Sequence, residues 1–131
     1  MIKRYLAKIL AKDRQGLQVI SACCAGANAK ITDIKYLPRN KIFLLSLERL
    51  SKESNDDSLK INSICKFEFV DSVKSKNIDQ NDLNLALELF TIEVLKKKEN
   101  FEINLIFSDN AYITLSTEIV EVTLEDQNKD L

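Results

Sequence analysis

The feature that most constrains the fold is an alternation of apolar and polar residues, with a period of two, through most of the chain after residue 28. Successive side chains of a β-strand point to opposite faces, so this period is typical of strands with one buried face. The clearest examples are "KIFLLSLERL", "LKINSICKFEFVDSVKS", "FEINLIF" and "YITLS". These segments predict a sheet that is mostly antiparallel.

The first 27 residues have a different pattern. "IKRYLAKIL" predicts a half-buried strand, with one face made by Ile2, Leu6 and Leu10. After it, apolar residues spaced three, four and three apart share one helical face, namely Leu17, Ile20, Cys24 and Ala27. Asp13 is a suitable N-cap, and Gly26 tolerates the left-handed geometry that ends many helices. We therefore predict a helix over residues 13–25.

The middle of the chain predicts two further strand units. "AKITDIKYL" and "KIFLLSLERL" are joined by a turn in which Pro38 fixes the first position and Asn40 tolerates a positive φ, which indicates a hairpin. Residues 51–58 are polar and acidic and predict a loop. The segment 59–74 predicts one strand with a common face made by Ile61, Cys65, Phe67, Phe69 and Val73.

The last third predicts a series of strands. In "LNLALELFTIEVL" residues 83–90 are compatible with helix or strand, and we favour a strand with a bulge near Leu89–Phe90. Asp109-Asn110 indicates a hairpin turn between two strands. Their predicted inward faces are Phe101, Ile103, Leu105 and Phe107 on one, and Ile113 and Leu115 on the other. Residues 118–124 predict a last strand, with a short helix as the alternative, and residues 125–131 predict a flexible, solvated tail.

Together these segments predict an α+β fold with seven or eight antiparallel strands and one N-terminal helix. Composition does not change along the chain and no repeat is visible, so we expect a single domain over 1–131. A sheet of this kind must protect its edges, which favours a curled sheet or a small open barrel covered by the helix.

The absence of histidine is the strongest constraint on function. It removes the commonest general base and the commonest transition-metal ligand. With only two glycines, the chain has no glycine-rich phosphate loop. We therefore expect no catalytic residues, no metal and no cofactor, and favour a non-catalytic protein over an enzyme.

The cysteine pair in "VISACCAGANAK" is the remaining place where reactive chemistry is conceivable. However, Cys24 shares a helical face with Leu17, and Cys65 shares a strand face with Phe67. A free cysteine behaves as a small buried apolar residue. We interpret these thiols as part of the core, with Cys23 at its flank.

Charge and hydropathy limit the class of partner. The formal net charge of −1 argues against nucleic acid as the main partner. No apolar run approaches the roughly 20 residues that span a bilayer, and the first residues lack the apolar core of a signal peptide. We expect a cytoplasmic protein.

Several segments resemble a bacterial domain-of-unknown-function family. "LQVISACCAGA" is similar to the DLxVISAxxQDA helix of that family, and "TDIKYLPRNKIFLLSLERL" to its DxxYxP hairpin. "FEFVDSVKSKNID" and "INLIFSDNAYITLSTEIVEVTLED" are similar to its later strands. The resemblance covers nearly the whole chain and implies a stand-alone, single-domain protein of the bacterial cytosol, with no established activity. Gly16 replaces the aspartate of the helix motif, and Cys24 lies near its glutamine, so roles of those side chains do not transfer.

The resemblance also selects polar positions outside the predicted core, and we take five as candidate surface or ligand contacts: Asp33, Tyr36, Arg49, Lys74 and Asp79. Each also has a structural interpretation. Tyr36 packs a hairpin, Arg49 pairs with a carboxylate, and Asp79 caps a turn.

Three functional classes remain open. The first is a module that binds an unknown protein or forms a homodimer through a sheet edge. The second is a weak binder of nucleic acid or anionic surfaces, which would use basic residues such as Lys74 and Lys96 to Lys98. The third is an enzyme with a histidine-free site. We favour the first.

Overall fold

The computed structural model describes residues 7–50 and 60–127. In this part of the chain one helix and ten strands follow in the order β1 (Lys8–Ala11), α1 (Arg14–Cys24), β2 (Asn28–Lys30), β3 (Ile34–Leu37), β4 (Ile42–Leu50), β5 (Lys60–Phe67), β6 (Val70–Lys76), β7 (Ala86–Lys96), β8 (Phe101–Phe107), β9 (Tyr112–Thr117) and β10 (Val122–Asp126). A 3-10 turn at Ile31–Asp33 separates β2 from β3. The predicted α+β class is confirmed, whereas the predicted count of seven or eight strands is wrong.

The strands form one antiparallel sheet in the order β1-β10-β5-β4-β2-β7-β8-β9-β6. β3 pairs with β4 along the same edge as β2, because the 3-10 turn shifts the chain from the Glu48 end of β4 to its Ile42 end. The path does not return on itself, so the sheet is open. The prediction left a curled sheet and a small open barrel as alternatives, and the observed sheet is not closed.

Two predicted strands are each divided, which accounts for the higher count. The 3-10 turn interrupts "AKITDIKYL", and the segment 59–74 breaks at residues 68 and 69. Phe69 has a φ of 59°, which turns the chain away from β5 and toward β9, the partner of β6. Phe69 is 38% exposed, so its predicted position on the inward face is wrong.

The predicted helix is confirmed to within one residue of its bounds. Asp13 is the N-cap, and its Oδ1 accepts a hydrogen bond from the Gly16 amide at 2.7 Å. The predicted helical face is buried against the sheet, with Leu17, Ile20, Cys24 and Ala27 in the core. The helix therefore covers the inner side of the curled sheet.

The later strands also follow the predicted pattern. The register of β7 against β8 shifts between Leu89 and Thr91, which confirms the bulge and settles residues 86–90 as strand. Asp109 and Asn110 both have positive φ at the β8–β9 turn. The predicted last strand is confirmed as β10, although residues 118–121 precede it without regular structure.

Three local predictions are wrong. In β1, Leu10 is 56% exposed because Ala11 and Ile9 pair with Val122 and Leu124, whose side chains face the core. In the β3–β4 turn, the positive φ is at Lys41 and not at Asn40.

The third wrong prediction concerns the first two residues of the flexible tail expected at 125–131. Residues 125 and 126 belong to β10, and the Asp126 side chain is buried because it pairs with Arg49. Residues 128–131, the loop predicted at 51–58 and the Ile2 and Leu6 positions lie outside the described residues.

Candidate functional site: a cleft between two strand edges

β3 and β6 each pair with only one strand among the described residues, β4 and β9 respectively. Their other edges face each other across the opening of the sheet. At one end the two edges are tied together, since the Val70 amide donates to the Lys41 carbonyl at 2.8 Å. The Tyr36 hydroxyl donates to the Val70 carbonyl at 2.9 Å. Where the chain leaves β2 toward β3, the Ile31 amide donates to the Leu85 carbonyl at 3.0 Å, which extends the pairing of β2 with β7.

Beyond the contacts of Val70, a cavity of about 390 Å³ lies between β3 and β6, and we call it the β3–β6 cleft. Its apolar lining comes from both edges and from the core beneath them: Ile31, Ile34, Phe43, Val73, Ile78 and Ile113. Phe43 and Ile113 are buried and form its floor. The volume is within the range of about 300–1,000 Å³ that is usual for ligand pockets.

Three polar side chains also line the cleft, namely Tyr36, Ser75 and Gln80. The side-chain amide of Gln80 donates to the Ser75 hydroxyl at 3.0 Å, and both residues are exposed. An apolar wall with few polar groups is the usual composition of a binding pocket. These groups can orient a ligand by hydrogen bonding.

The outward faces of the same strands carry positive charge. In β3 Lys35 alternates with Ile34 and Tyr36, and in β6 Lys74 and Lys76 alternate with the inward Ser75. The three lysine side chains are exposed. Lysine on an edge strand also opposes unwanted pairing with other sheets.

A further lysine at the closed end of the cleft is paired. Lys41 Nζ lies 3.0 Å from Asp71 Oδ1. The hydrogen bond to this carboxylate, together with its charge, raises the pKa of Lys41 above its usual value. Both side chains are about half exposed, so this pair contributes little to stability.

The five candidate residues from the sequence do not form one cluster. Tyr36 lines the β3–β6 cleft, and Lys74 is on the outward side of β6. Asp33 lines a separate polar cavity of about 460 Å³ beside β4. Asp79 caps its own turn, since its Oδ1 accepts from the Asn81 amide at 3.0 Å.

Arg49 is buried, and it forms the centre of a polar network. Its Nη2 donates to both carboxylate oxygens of Asp126, at 2.9 and 3.0 Å. Ser63 joins the pair, because its hydroxyl donates to Asp126 at 2.6 Å and accepts from Arg49 Nε at 3.0 Å. The second carboxylate oxygen also accepts from the Ala7 amide at 2.7 Å. This network joins β4, β5, β10 and the residue before β1.

Another cavity, of about 590 Å³, is a groove between α1 and β7. There the helix already provides hydrogen bonds to the edge of β7. The Ile92 amide donates to the Ser21 hydroxyl at 2.9 Å, and Arg14 Nη2 donates to the Val94 carbonyl at 3.3 Å. A helix that covers a strand edge in this way protects it from further pairing.

The three cysteines are not linked by disulfides, and Cys24 and Cys65 are buried. Burial raises the pKa of Cys65 well above its usual value, and the neighbouring Cys24 adds to the effect. A thiol with a raised pKa is a weak nucleophile, which supports the interpretation as core. Within residues 7–50 and 60–127, no three cysteine or acidic side chains are grouped so that they could hold a metal ion.

Sequence reasoning missed most of the cleft. No sequence pattern around Ser75 or Gln80 indicates a binding site, and Val73 and Ile78 resemble ordinary core residues. One sequence pattern could have indicated the β3 edge of the cleft. Ile34 and Tyr36 alternate with Lys35 beside a proline turn, and such a pattern is typical of an edge strand.

The fold and the cleft define a small α+β protein with an open antiparallel sheet and a pocket at its opening. The chain belongs to the family described as protein of unknown function (DUF2948), whose model matches residues 7–131. No curated protein and no solved structure matches the chain. No helix among the described residues is long and apolar enough to cross a membrane.

Proposed function

We propose that this protein is a non-catalytic binding module of the bacterial cytosol that accepts an apolar group of its partner in the β3–β6 cleft. The observation that carries the proposal is the open apolar cavity between two strand edges that have no strand partner on that side among the described residues. Burying apolar surface there would contribute about 25 cal/mol for each Å² removed from water.

The α1–β7 groove is larger but supports the proposal less well. Its strand edge already donates a hydrogen bond to Ser21 and accepts one from Arg14, so a ligand would have to displace them. Among the described residues, the hydrogen bonds that join the edges of the β3–β6 cleft lie at one end, from Val70 to Lys41 and from Tyr36 to Val70. A ligand can therefore enter it without breaking a contact between secondary-structure elements.

Binding of nucleic acid or another anionic surface is the second candidate. Lys74 and Lys97 line a common cavity of about 240 Å³, which favours it. The adjoining cavity is lined by acidic side chains as well, Asp71, Glu99 and Glu118, and these lower the positive potential. We rank this candidate below the apolar cleft.

A substitution that introduces a bulky side chain on the wall of the cleft tests the proposal. The dye 1-anilinonaphthalene-8-sulfonate carries an apolar ring system, and we expect the native protein to bind it saturably in the cleft. Ser75→Phe places a ring in the cavity and should weaken dye binding by about tenfold, which corresponds to roughly 1.4 kcal/mol. Fluorescence titration measures the change.

The matched control is Ser72→Phe, which introduces the same ring on the outward side of the same strand. This variant should bind the dye with the affinity of the native protein. Equal weakening in both variants, or no saturable binding by the native protein, would contradict the proposed site.

A further inference from the structure

The backbone groups on the strand edges of the cleft indicate which kind of ligand binds there. β3 and β6 each present an edge without a strand partner in the described structure, and such edges offer backbone N–H and C=O groups. An extended peptide satisfies groups of this kind by adding a strand, whereas an acyl chain or a flat aromatic molecule cannot. The backbone chemistry thus favours a peptide segment.

Side chains of an added strand would alternate between the cleft and the solvent. The inward side chains would meet the apolar floor formed by Phe43 and Ile113. The outward side chains would lie beside Lys35 on one strand and beside Lys74 and Lys76 on the other. Oppositely charged cross-strand neighbours stabilise a sheet, and like charges destabilise it.

We propose that the β3–β6 cleft recognises an extended segment of a partner protein in which apolar residues alternate with acidic ones. The inference rests on the proposed function, since it identifies the partner of that same cleft. The apolar residues fill the cavity, and the acidic residues pair with the lysines on both edges. Without a partner, the same lysines keep the two edges from pairing with other sheets.

Two peptides with blocked ends test the charge pattern. One alternates glutamate with valine over eight residues, and the other alternates lysine with valine. By fluorescence anisotropy at physiological ionic strength, the native protein should bind the acidic peptide about tenfold more tightly than the basic one. A higher salt concentration should reduce the difference, because the charges are exposed.

Charge reversal on the edges provides the critical comparison. The double variant Lys35→Glu with Lys74→Glu should prefer the basic peptide. The control Lys8→Glu with Lys12→Glu makes the same change of net charge near β1, on exposed side chains, and should keep the preference of the native protein.

The possible failures of this inference and of the proposed function differ. The acidic-segment inference is wrong and the apolar site stands if the double variant still prefers the acidic peptide. The same holds if the native protein binds neither peptide while Ser75→Phe still weakens dye binding. If Ser75→Phe changes the binding of neither the dye nor a peptide, the cleft is not the binding site.

Discussion

Removing either partner of the buried Arg49–Asp126 pair should lower the free energy of unfolding by about 3–5 kcal/mol. Both side chains are almost inaccessible to solvent, and Nη2 of the arginine lies 2.9 Å from the carboxylate. In Asp126→Ala the guanidinium loses its bidentate acceptor in a buried position. In Arg49→Ala the carboxylate keeps its hydrogen bonds from Ser63 and from the Ala7 amide but loses its buried positive partner. Urea denaturation of the two single variants measures the effect.

The exposed pair formed by Lys41 and Asp71 is the matched control. Its separation of 3.0 Å is similar, but its side chains are about half exposed. Lys41→Ala and Asp71→Ala should each leave the stability nearly unchanged, because solvent screens an exposed pair. If the buried and the exposed pairs prove equally sensitive, burial is not what makes the Arg49 network important. Replacing both buried partners at once, with Arg49→Met and Asp126→Leu, should be less damaging than either alanine substitution.

Phe67→Ala should lower the stability by about 3–5 kcal/mol, a large part of the roughly 5–15 kcal/mol that is typical of a domain. Phe67 is fully buried, and its ring packs edge-to-face against Phe43 with centroids 5.9 Å apart. Removing it opens a cavity in the core between β4 and β5.

Phe69→Ala is the matched comparison two residues later. Phe69 is 38% exposed and lies at the break between β5 and β6, so the change should be about 1 kcal/mol or less. Chemical denaturation of both variants distinguishes the observed break from one continuous strand. Equal large losses for Phe67→Ala and Phe69→Ala would mean that both rings face the core.

The parts of the fold that the sequence predicted depend on local chemistry. Asp13 caps α1 because its carboxylate can reach the Gly16 amide three residues later. The bulge at Leu89–Phe90 was visible because the alternation changes phase there. Asp109 and Asn110 are residues that tolerate positive φ, so the turn was visible too.

The parts that were missed depend on contacts between distant segments. Phe69 is not a residue that favours positive φ, and its conformation is held by remote backbone groups. The Glu68 amide donates to the Glu121 carbonyl at 3.0 Å, and the Glu118 amide donates to the Phe69 carbonyl at 3.1 Å. No local sequence pattern predicts hydrogen bonds between segments so far apart in the chain. The division of this strand therefore came only from the structure, and with it the separate edge strand β6.

Dependence on contacts between distant segments also explains why the candidate site was not predicted. Arg49 and Asp126 are 77 positions apart, and the acidic C-terminal residues have the composition of a solvated tail. The β3–β6 cleft requires that β6 be a strand of its own and that it face β3 across an open sheet. The charged residues of these edges were visible in the sequence, but the cavity between them was not.

Hydrogen–deuterium exchange of the backbone amides, with and without the glutamate–valine peptide, tests most directly where a partner binds. If the peptide adds a strand in the β3–β6 cleft, exchange should slow at Ile34–Leu37 and Val70–Lys76, while Lys8–Ala11 at the other end of the sheet exchanges as before. Protection confined to β1, or to α1 and β7, with no change in β3 and β6, would contradict binding in the cleft.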